Sequence, residues 1–535
     1  MRRTVCAIIA AAMILCLCSC GGGSSGKSIS YAISANPSTL DPQYANESGA
    51  KTIINNAFEG LIRLDKDGNV LPGIAKTWEA NEDETEYTFH LRDDTEWYCP
   101  SILKREYGDE FYEKFSTAKV TANDFVYACR RAADPATASP SAHRLGPILH
   151  ADEIMRGELP PENLGVFAED DFTLIITLAE KCPDILVRLT ESEFMPCNEE
   201  FFSQMGGRYG LSMKHILCNG PYYISYWDPE SQLTLKSNKY YQGSVQVSLS
   251  SVSVKFESNP DAIPDLLSNG SLSCAFLSPD TPIPDNTKTV KELRNTVFGF
   301  MFNCSDAALK SENIRKAFCS SIYRDIFSVP PQGTYIQTGI IPESCFVGSS
   351  PYRVRIAGQS PEIEYNLKKA AEYWKKGLTK LDTDAVTVTV LCPAEVNEQV
   401  RTQLQLWERT MGISLRITVE NAENSEISKR IASGDYQIAF GSIESANENA
   451  VNFLVSLREN DPFRVTSKKL DVLTDNLKTV SADGDLMGAC YAAEEYYITK
   501  GVCFPLYGKS AKFVTSDDAS GVYMPLSEST ITFTG

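Results

Sequence analysis

The sequence predicts a mixed α/β (α+β) protein, strand-rich in its first half and built on a parallel β-α-β-α-β unit in its second. Three observations carry this. Short segments up to Phe256 alternate apolar and polar residues with period two, the pattern of half-buried strands. From Leu367 on, apolar residues recur every three or four positions between further alternating segments, the pattern of amphipathic helices between strands. The 535 residues, 43% of them apolar, suffice for three or four domains of about 150 residues, with ample core.

The elements follow in order. Arg2 and Arg3 precede an apolar run from Val5 to Leu17. That run is short of the ~20 residues of a membrane span and has the length of a secretory signal. Leu17-Cys18-Ser19-Cys20 resembles a bacterial lipobox, which makes residues 1–20 a signal peptide, Cys20 the lipid attachment site and residues 21–27 a Gly/Ser-rich tether. Acyl chains hold a protein at about 0.8 kcal/mol per buried CH₂. The expected location is therefore the outer face of the cytoplasmic membrane, lipid-anchored. Twelve of the 16 cysteines lie beyond the leader, without a C-x-x-C pair. They read as buried thiols, although export permits disulfides.

Ile29, Tyr31 and Ile33 mark a first strand, and Asp67-Gly68 a turn. Tyr87, Phe89 and Leu91 mark another strand, as do Phe172 to Leu178, Leu233 with Leu235, and Val252 to Phe256. Phe298, Phe300 and Phe302 share one face of a strand and read as core. Leu367, Ala371, Trp374 and Leu378 line one face of a helix. Val386 to Val390 is a strand. Val400, Leu404, Trp407 and Met411 form a helix face, capped by Asn397 and stopped by Gly412. Ile413 to Val419 is a strand, Ile427 and Ile431 a helix, and Tyr436 to Phe440 a strand. Strands so connected are parallel with right-handed crossovers. Ligands of open parallel sheets bind beyond the carboxyl ends of the strands. Here those ends open into Cys392–Val396 and the polar loop Gly441–Asn449, which carries Glu444 and Glu448.

Several function classes fall away. Net charge is −19, which disfavours nucleic acid and anionic lipid and suits a soluble monomer. The four histidines lack metal-ligand spacing. There is no G-x-G-x-x-G or phosphate-binding loop, and the one G-x-S-x-G match, Gly22 to Gly26, lies in the tether. No catalytic residue, metal site or cofactor is expected.

Further motifs occur in order: Ser38-Thr39-Leu40-Asp41-Pro42, Phe58-Glu59-Gly60-Leu61, Leu71-Pro72-Gly73-Ile74-Ala75 and Tyr87 to Arg92. Val120 to Tyr127 with Arg130-Arg131, Asp134-Pro135, Asn219-Gly220-Pro221-Tyr222, Tyr240-Tyr241, Ala492-Ala493-Glu494 and Phe504-Pro505-Leu506-Tyr507 follow. The ordered set resembles the family-5 extracellular solute-binding proteins of bacterial ABC importers, the oligopeptide, dipeptide and nickel-binding group. The resemblance implies a type II periplasmic-binding-protein-like fold of two hinged lobes plus a third domain. It divides the chain into a discontinuous first lobe (28–57, 195–297, 505–535), an extra domain (58–194) and a second lobe (298–504). It implies capture of a small solute, most simply a short peptide, by lobe closure, and delivery to a permease with a separate ATPase. A non-peptide solute (sugar, metal chelate, modified amino acid) on the same fold is the alternative. A ligand-presenting signalling lipoprotein and an exported hydrolase are further ones.

In peptide-binding members an Asp in the loop after the strand ending at Phe440 holds the ligand's ammonium. Alignment by length puts Ala446 at that position, Ile443 where an aromatic often stands and Phe440 where a basic residue can stand. Three readings follow: Glu444 or Glu448 takes over the ammonium, the ligand lacks a free amine, or the alignment slips within the loop that also holds Asn447. In the first lobe the resemblance points to backbone groups at Asn46, Glu47 and Ser48. His143 and Arg144 stand near a position where the family offers an aromatic, and this sequence has none between Ser139 and Gly146.

Overall fold

The computed structural model describes residues 27–534 apart from 183–184, 280, 348–349, 357–358, 446–447, 481–482 and 526–529. The leader and Cys20 lie outside the described residues. Among these residues an eleven-stranded mixed sheet runs through the molecule. From one edge its order is Leu415–Asn421, Val386–Cys392, Ile438–Glu444, Thr287–Phe302, Cys503–Ser516, Cys274–Leu277, Lys27–Ile33, Leu249–Phe256, Gln232–Ser237 and Tyr222–Asp228. Thr334–Ile336 pairs beside Cys503–Ser516.

The parallel unit has the expected order. Val386–Cys392 pairs in parallel with both Leu415–Asn421 and Ile438–Glu444. Helices Asn397–Met411 and Asn424–Ser433 form the crossovers. Lys27–Ile33 likewise pairs in parallel with Leu249–Phe256 and Cys274–Leu277, so each half of the sheet has strand carboxyl ends at which a ligand can sit. The two long strands Thr287–Phe302 and Cys503–Ser516 run antiparallel to each other between the halves. The inner boundaries expected at 297/298 and 504/505 fall inside these strands.

A separate four-stranded antiparallel sheet, Ala75–Ala80, Glu86–Leu91, Thr173–Thr177 and Val166–Asp170, lies within the expected extra domain. Helix Ala122–Ala133, started by a Thr121/Asp124 capping box, packs on it. Its core is continuous with that of the N-terminal half of the large sheet.

Two helix and strand assignments need correction. Helix Leu367–Leu381 buries Ala370, Trp374 and Gly377, while Leu367 and Ala371 are exposed. The buried face is turned because Gly377 admits Ile314 of helix Glu312–Ser320; a Cβ there would lie 2.5 Å from Ile314 Cδ1. Ile413 is fully exposed, in a tight 3-10 turn that Gly412 opens at φ 67°, so the next strand begins only at Leu415. The twelve body cysteines are free thiols; Cys182 and Cys304 are half-buried and the others buried.

Candidate functional site

The loop after strand Ile438–Glu444 is held from two sides. Asn295, on the long strand beside it, donates its side-chain amide to Glu444 Oε1 at 2.9 Å and to the Ser445 carbonyl at 3.3 Å, and its own carbonyl accepts from the Ser445 N–H at 2.9 Å. Farther on, Asn449 caps helix Ala450–Asn460 by accepting from the N–H groups of Val451 and Asn452. The loop therefore has fixed ends.

Beyond it lies a cavity of about 510 Å³, lined on one wall by Ser442, Ile443, Glu444 and helix residues such as Phe453, and on the other by Arg144, Arg188 and Glu191. A volume of this order suits a small organic ligand. Arg188 and Glu459 reach across it, Nη1 to Oε2 at 3.6 Å. A second cavity of about 570 Å³ continues past the same pair and is lined by Met155, Val455, Leu477 and Leu486 among others.

The electrostatics of the first cavity are unequal. Glu193, with a fully buried side chain, pairs with Lys51 Nζ at 2.9 Å and lies 3.8 Å from Arg144 Nε, and Arg144 also pairs with Glu191. Burial would raise the Glu193 carboxyl, but Lys51 and Arg144 outweigh it and hold it well below the usual range. Burial lowers Lys51 against the pull of Glu193. These two cations and two carboxylates balance. Glu448 is half-buried and pairs with Lys291 Nζ at 3.3 Å; burial raises its carboxyl against the pull of Lys291. Glu444 differs. Its side chain meets the solvent of the cleft, and no cation among the described residues lies within ion-pairing distance of it. Desolvation by the cleft walls raises its carboxyl, more than the Asn295 amide and the remoter Lys509 and Lys51 charges lower it.

Of the residues expected from sequence, Arg144, Ile443 and Glu444 line the first cavity together. Glu47 and Ser48 line a different one, about 710 Å³, at the carboxyl end of strand Lys27–Ile33. Asn46 is exposed and lines none of the three. Phe440 requires a correction: it is 1% exposed and packs on Phe300, Phe327 and Tyr507. The strand alternation that turns it toward the phenylalanines of the neighbouring strand excludes it from the cleft. Ala446, Asn447 and the His143 side chain lie outside the described residues. Sequence reasoning missed Lys51, Glu191, Glu193, Arg188, Asn295 and Lys509. No local motif marks them.

Among the described residues no cluster of His, Cys, Asp and Glu is arranged to hold a metal ion, and no helix is long and apolar enough to cross a membrane. Two α/β halves joined by paired long strands, with a cleft at their strand ends, define a binding protein. Residues 69–463 match the bacterial extracellular solute-binding proteins, family 5, middle region, and the chain belongs to that family. It is 26% identical over 402 residues to the dipeptide-binding protein of Lactococcus lactis subsp. cremoris, covering 71% of this chain and 70% of that one. It is 26% identical over 484 residues to the periplasmic oligopeptide-binding protein OppA of Salmonella typhimurium, covering 86% and 83%. The fold matches that of peptide-bound OppA from Listeria monocytogenes with a TM-score of 0.73 at 22% identity, over 96% of this chain and 100% of the other.

Proposed function

We propose that this protein is the lipid-anchored receptor of an ABC importer, held at the outer face of the membrane through Cys20, and that its solute is a short peptide. Lobe closure captures the peptide, and a permease driven by a separate ATPase receives it. The peptide-binding names of its relatives support the ligand class. The observation that carries the reading is Glu444: a carboxylate in the cleft, oriented by Asn295 and with no ion-pair partner among the described residues. A ligand ammonium supplies the missing partner and relieves the cost of a partly desolvated charge. Glu448, already paired with Lys291, is the poorer acceptor.

Closure is a difference in contacts between open and closed forms. The Arg188–Glu459 pair and the approach of helix Ala450–Asn460 to the turn Ala142–Leu145 are contacts of that kind. The test is native mass spectrometry of the body from residue 27 on, purified without refolding. Co-purified masses that resolve into short peptides support the proposal. A single non-peptide mass, or an empty protein that di- to pentapeptides fail to stabilise thermally, overturns it.

A further inference from the structure

We propose that the second cavity, between helices Ala151–Met155 and Ala450–Asn460, is a specificity subsite that receives a large apolar side chain on the first residue of the ligand. The inference rests on the peptide reading above and adds a preference to it.

One helix divides the two cavities. Val451, Val455 and Glu459 of helix Ala450–Asn460 recur every four residues and so share a face, and all three line the second cavity. Phe453, Ser456 and Leu457, farther round the same helix, line the first. Asn452 and Glu459 stand at the seam and, with Arg188, line both. The cavities therefore meet at the Arg188–Glu459 pair, whose closest atoms are 3.6 Å apart, beyond hydrogen-bond length. Glu444 lines the first cavity. A peptide ammonium held by it keeps the side chain of the first residue, which leaves the same carbon, in the cavity that adjoins the second.

The two cavities differ in chemistry. Arg144, Glu191 and Glu444 put charge on the walls of the first. The second is walled by buried Val455 and Leu477 and half-buried Met155, Cys182, Val451 and Leu486. Apart from the pair at the seam, its charged groups are Asp152, Glu180 and Lys181, all exposed, and Lys181 pairs at 2.9 Å with Glu84, which is not part of the lining. A volume of about 570 Å³ has room for an aromatic ring. Apolar walls favour an apolar side chain, whereas a charged one would be desolvated there at a cost. Met155 and Cys182 come from the N-terminal half of the chain and Val455, Leu477 and Leu486 from the C-terminal half. A side chain lodged between them touches both halves at once and adds contacts that favour the closed form.

The experiment is calorimetric titration of the wild type and Val451→Trp with trialanine, Phe-Ala-Ala and Ala-Ala-Phe, beside a thiol readout in the wild type. The wild type is expected to bind Phe-Ala-Ala roughly ten- to a hundredfold tighter than trialanine, the range for burying one large apolar side chain, and tighter than Ala-Ala-Phe. Val451→Trp fills the cavity and removes the difference, so that Phe-Ala-Ala binds no tighter than trialanine. Alkylation by iodoacetamide, followed by peptide mapping, should modify Cys182 more slowly in the complex saturated with Phe-Ala-Ala than in the one saturated with trialanine, with the other half-buried thiol, Cys304, as the internal reference. Should Val451→Trp not fold, the thiol readout decides. Equal affinities in the wild type, a preference that survives in folded Val451→Trp, or equal alkylation of Cys182 in the two complexes overturns the subsite while the peptide reading stands. Failure of every peptide to bind the folded wild type removes both.

Discussion

Glu444→Gln isolates the charge that the ligand reading needs. Gln keeps an oxygen where Asn295 Nδ2 now donates at 2.9 Å, so the loop retains its tether to the long strand. What disappears is the negative charge. A hydrogen bond to a charged group contributes about 1.5–3 kcal/mol. Glu444 meets solvent in the cleft, so the lower part of that range applies, roughly a ten- to thirtyfold loss in affinity. The loss is confined to ligands with a free amine; an N-acetylated peptide binds wild type and variant alike. The pH dependence gives an independent check. Burial raises the Glu444 carboxyl above its ordinary value. As pH falls through that raised value, the empty site takes up a proton that an ammonium ligand must displace. Affinity therefore falls with falling pH, by at most about tenfold per unit, and begins to fall above the usual carboxylate range near 4.3. Glu444→Gln abolishes this slope. Calorimetric titrations from pH 8 to 5 with free and acetylated peptides measure both effects. Glu448→Gln is the control: its carboxylate serves Lys291, so it is expected to act on both peptides equally. If Glu444→Gln weakens free and acetylated peptides to the same extent, or leaves the slope intact, Glu444 is not the ammonium's partner.

Three other predictions concern the frame of the site. Burial pushes Glu59 up to about 7, so the folded state holds its proton more tightly than the unfolded chain. Stability from this group is then greatest below the unfolded carboxylate range and is lost as pH rises to about 7, about 3 kcal/mol in all; urea unfolding at pH 5 and pH 8 should show a smaller difference in Glu59→Gln. Gly377→Ala places a Cβ 2.5 Å from Ile314 Cδ1 and 3.2 Å from Ile314 N; overpacking costs about 1–3 kcal/mol against about 1 gained in helix propensity, and an unchanged or raised urea midpoint would show that the two helices separate freely. Arg188→Ala removes one contact across the cleft, so closure should weaken by about 1 kcal/mol; small-angle scattering with and without peptide reads the shift, and an unchanged radius together with unchanged affinity would deny the pair any part in closure.

What the sequence made legible follows from separation along the chain. The alternations of Tyr87 to Leu91 and Val386 to Val390 are local and appear as strands Glu86–Leu91 and Val386–Cys392. The rotated face of helix Leu367–Leu381 was hidden because its contact is a glycine, which no count of apolar residues registers. In the cleft, the loop bearing Glu444 and Glu448 was visible from strand order. Their different states were not, because Asn295 and Lys291 approach from a strand about 150 positions earlier. Phe440 shows the converse error: length alignment placed it at the ligand, while its own alternation with Ile438 already put it on a buried face.

The motifs that carried the family resemblance have a shared physical character, and it explains why they left the ligand open. Asp41 accepts a two-pronged bond from Arg131, whose Nη1 lies 2.7 Å from Oδ2, and the guanidinium rests on the Phe202 ring. Glu59 accepts from the Tyr241 hydroxyl at 2.5 Å, and Asn219 binds both the Glu59 N–H and its carbonyl. Glu494, fully buried, accepts from Tyr352, from the Ile341 N–H and from Arg353. Each is a buried polar group tied to several partners, because burying such a group without partners is costly; Glu59 Oε2 and Arg131 Nε are the atoms of these groups that keep no hydrogen bond among the described residues. Such groups join segments distant in sequence and specify the frame. Under the proposed reading, ligand choice instead falls to side chains that the frame does not consume, and Glu444 is a cleft charge of that kind. A family signature made of buried, hydrogen-bonded polar groups therefore identifies the fold, while on the proposed reading the solute is left to cleft side chains outside that signature.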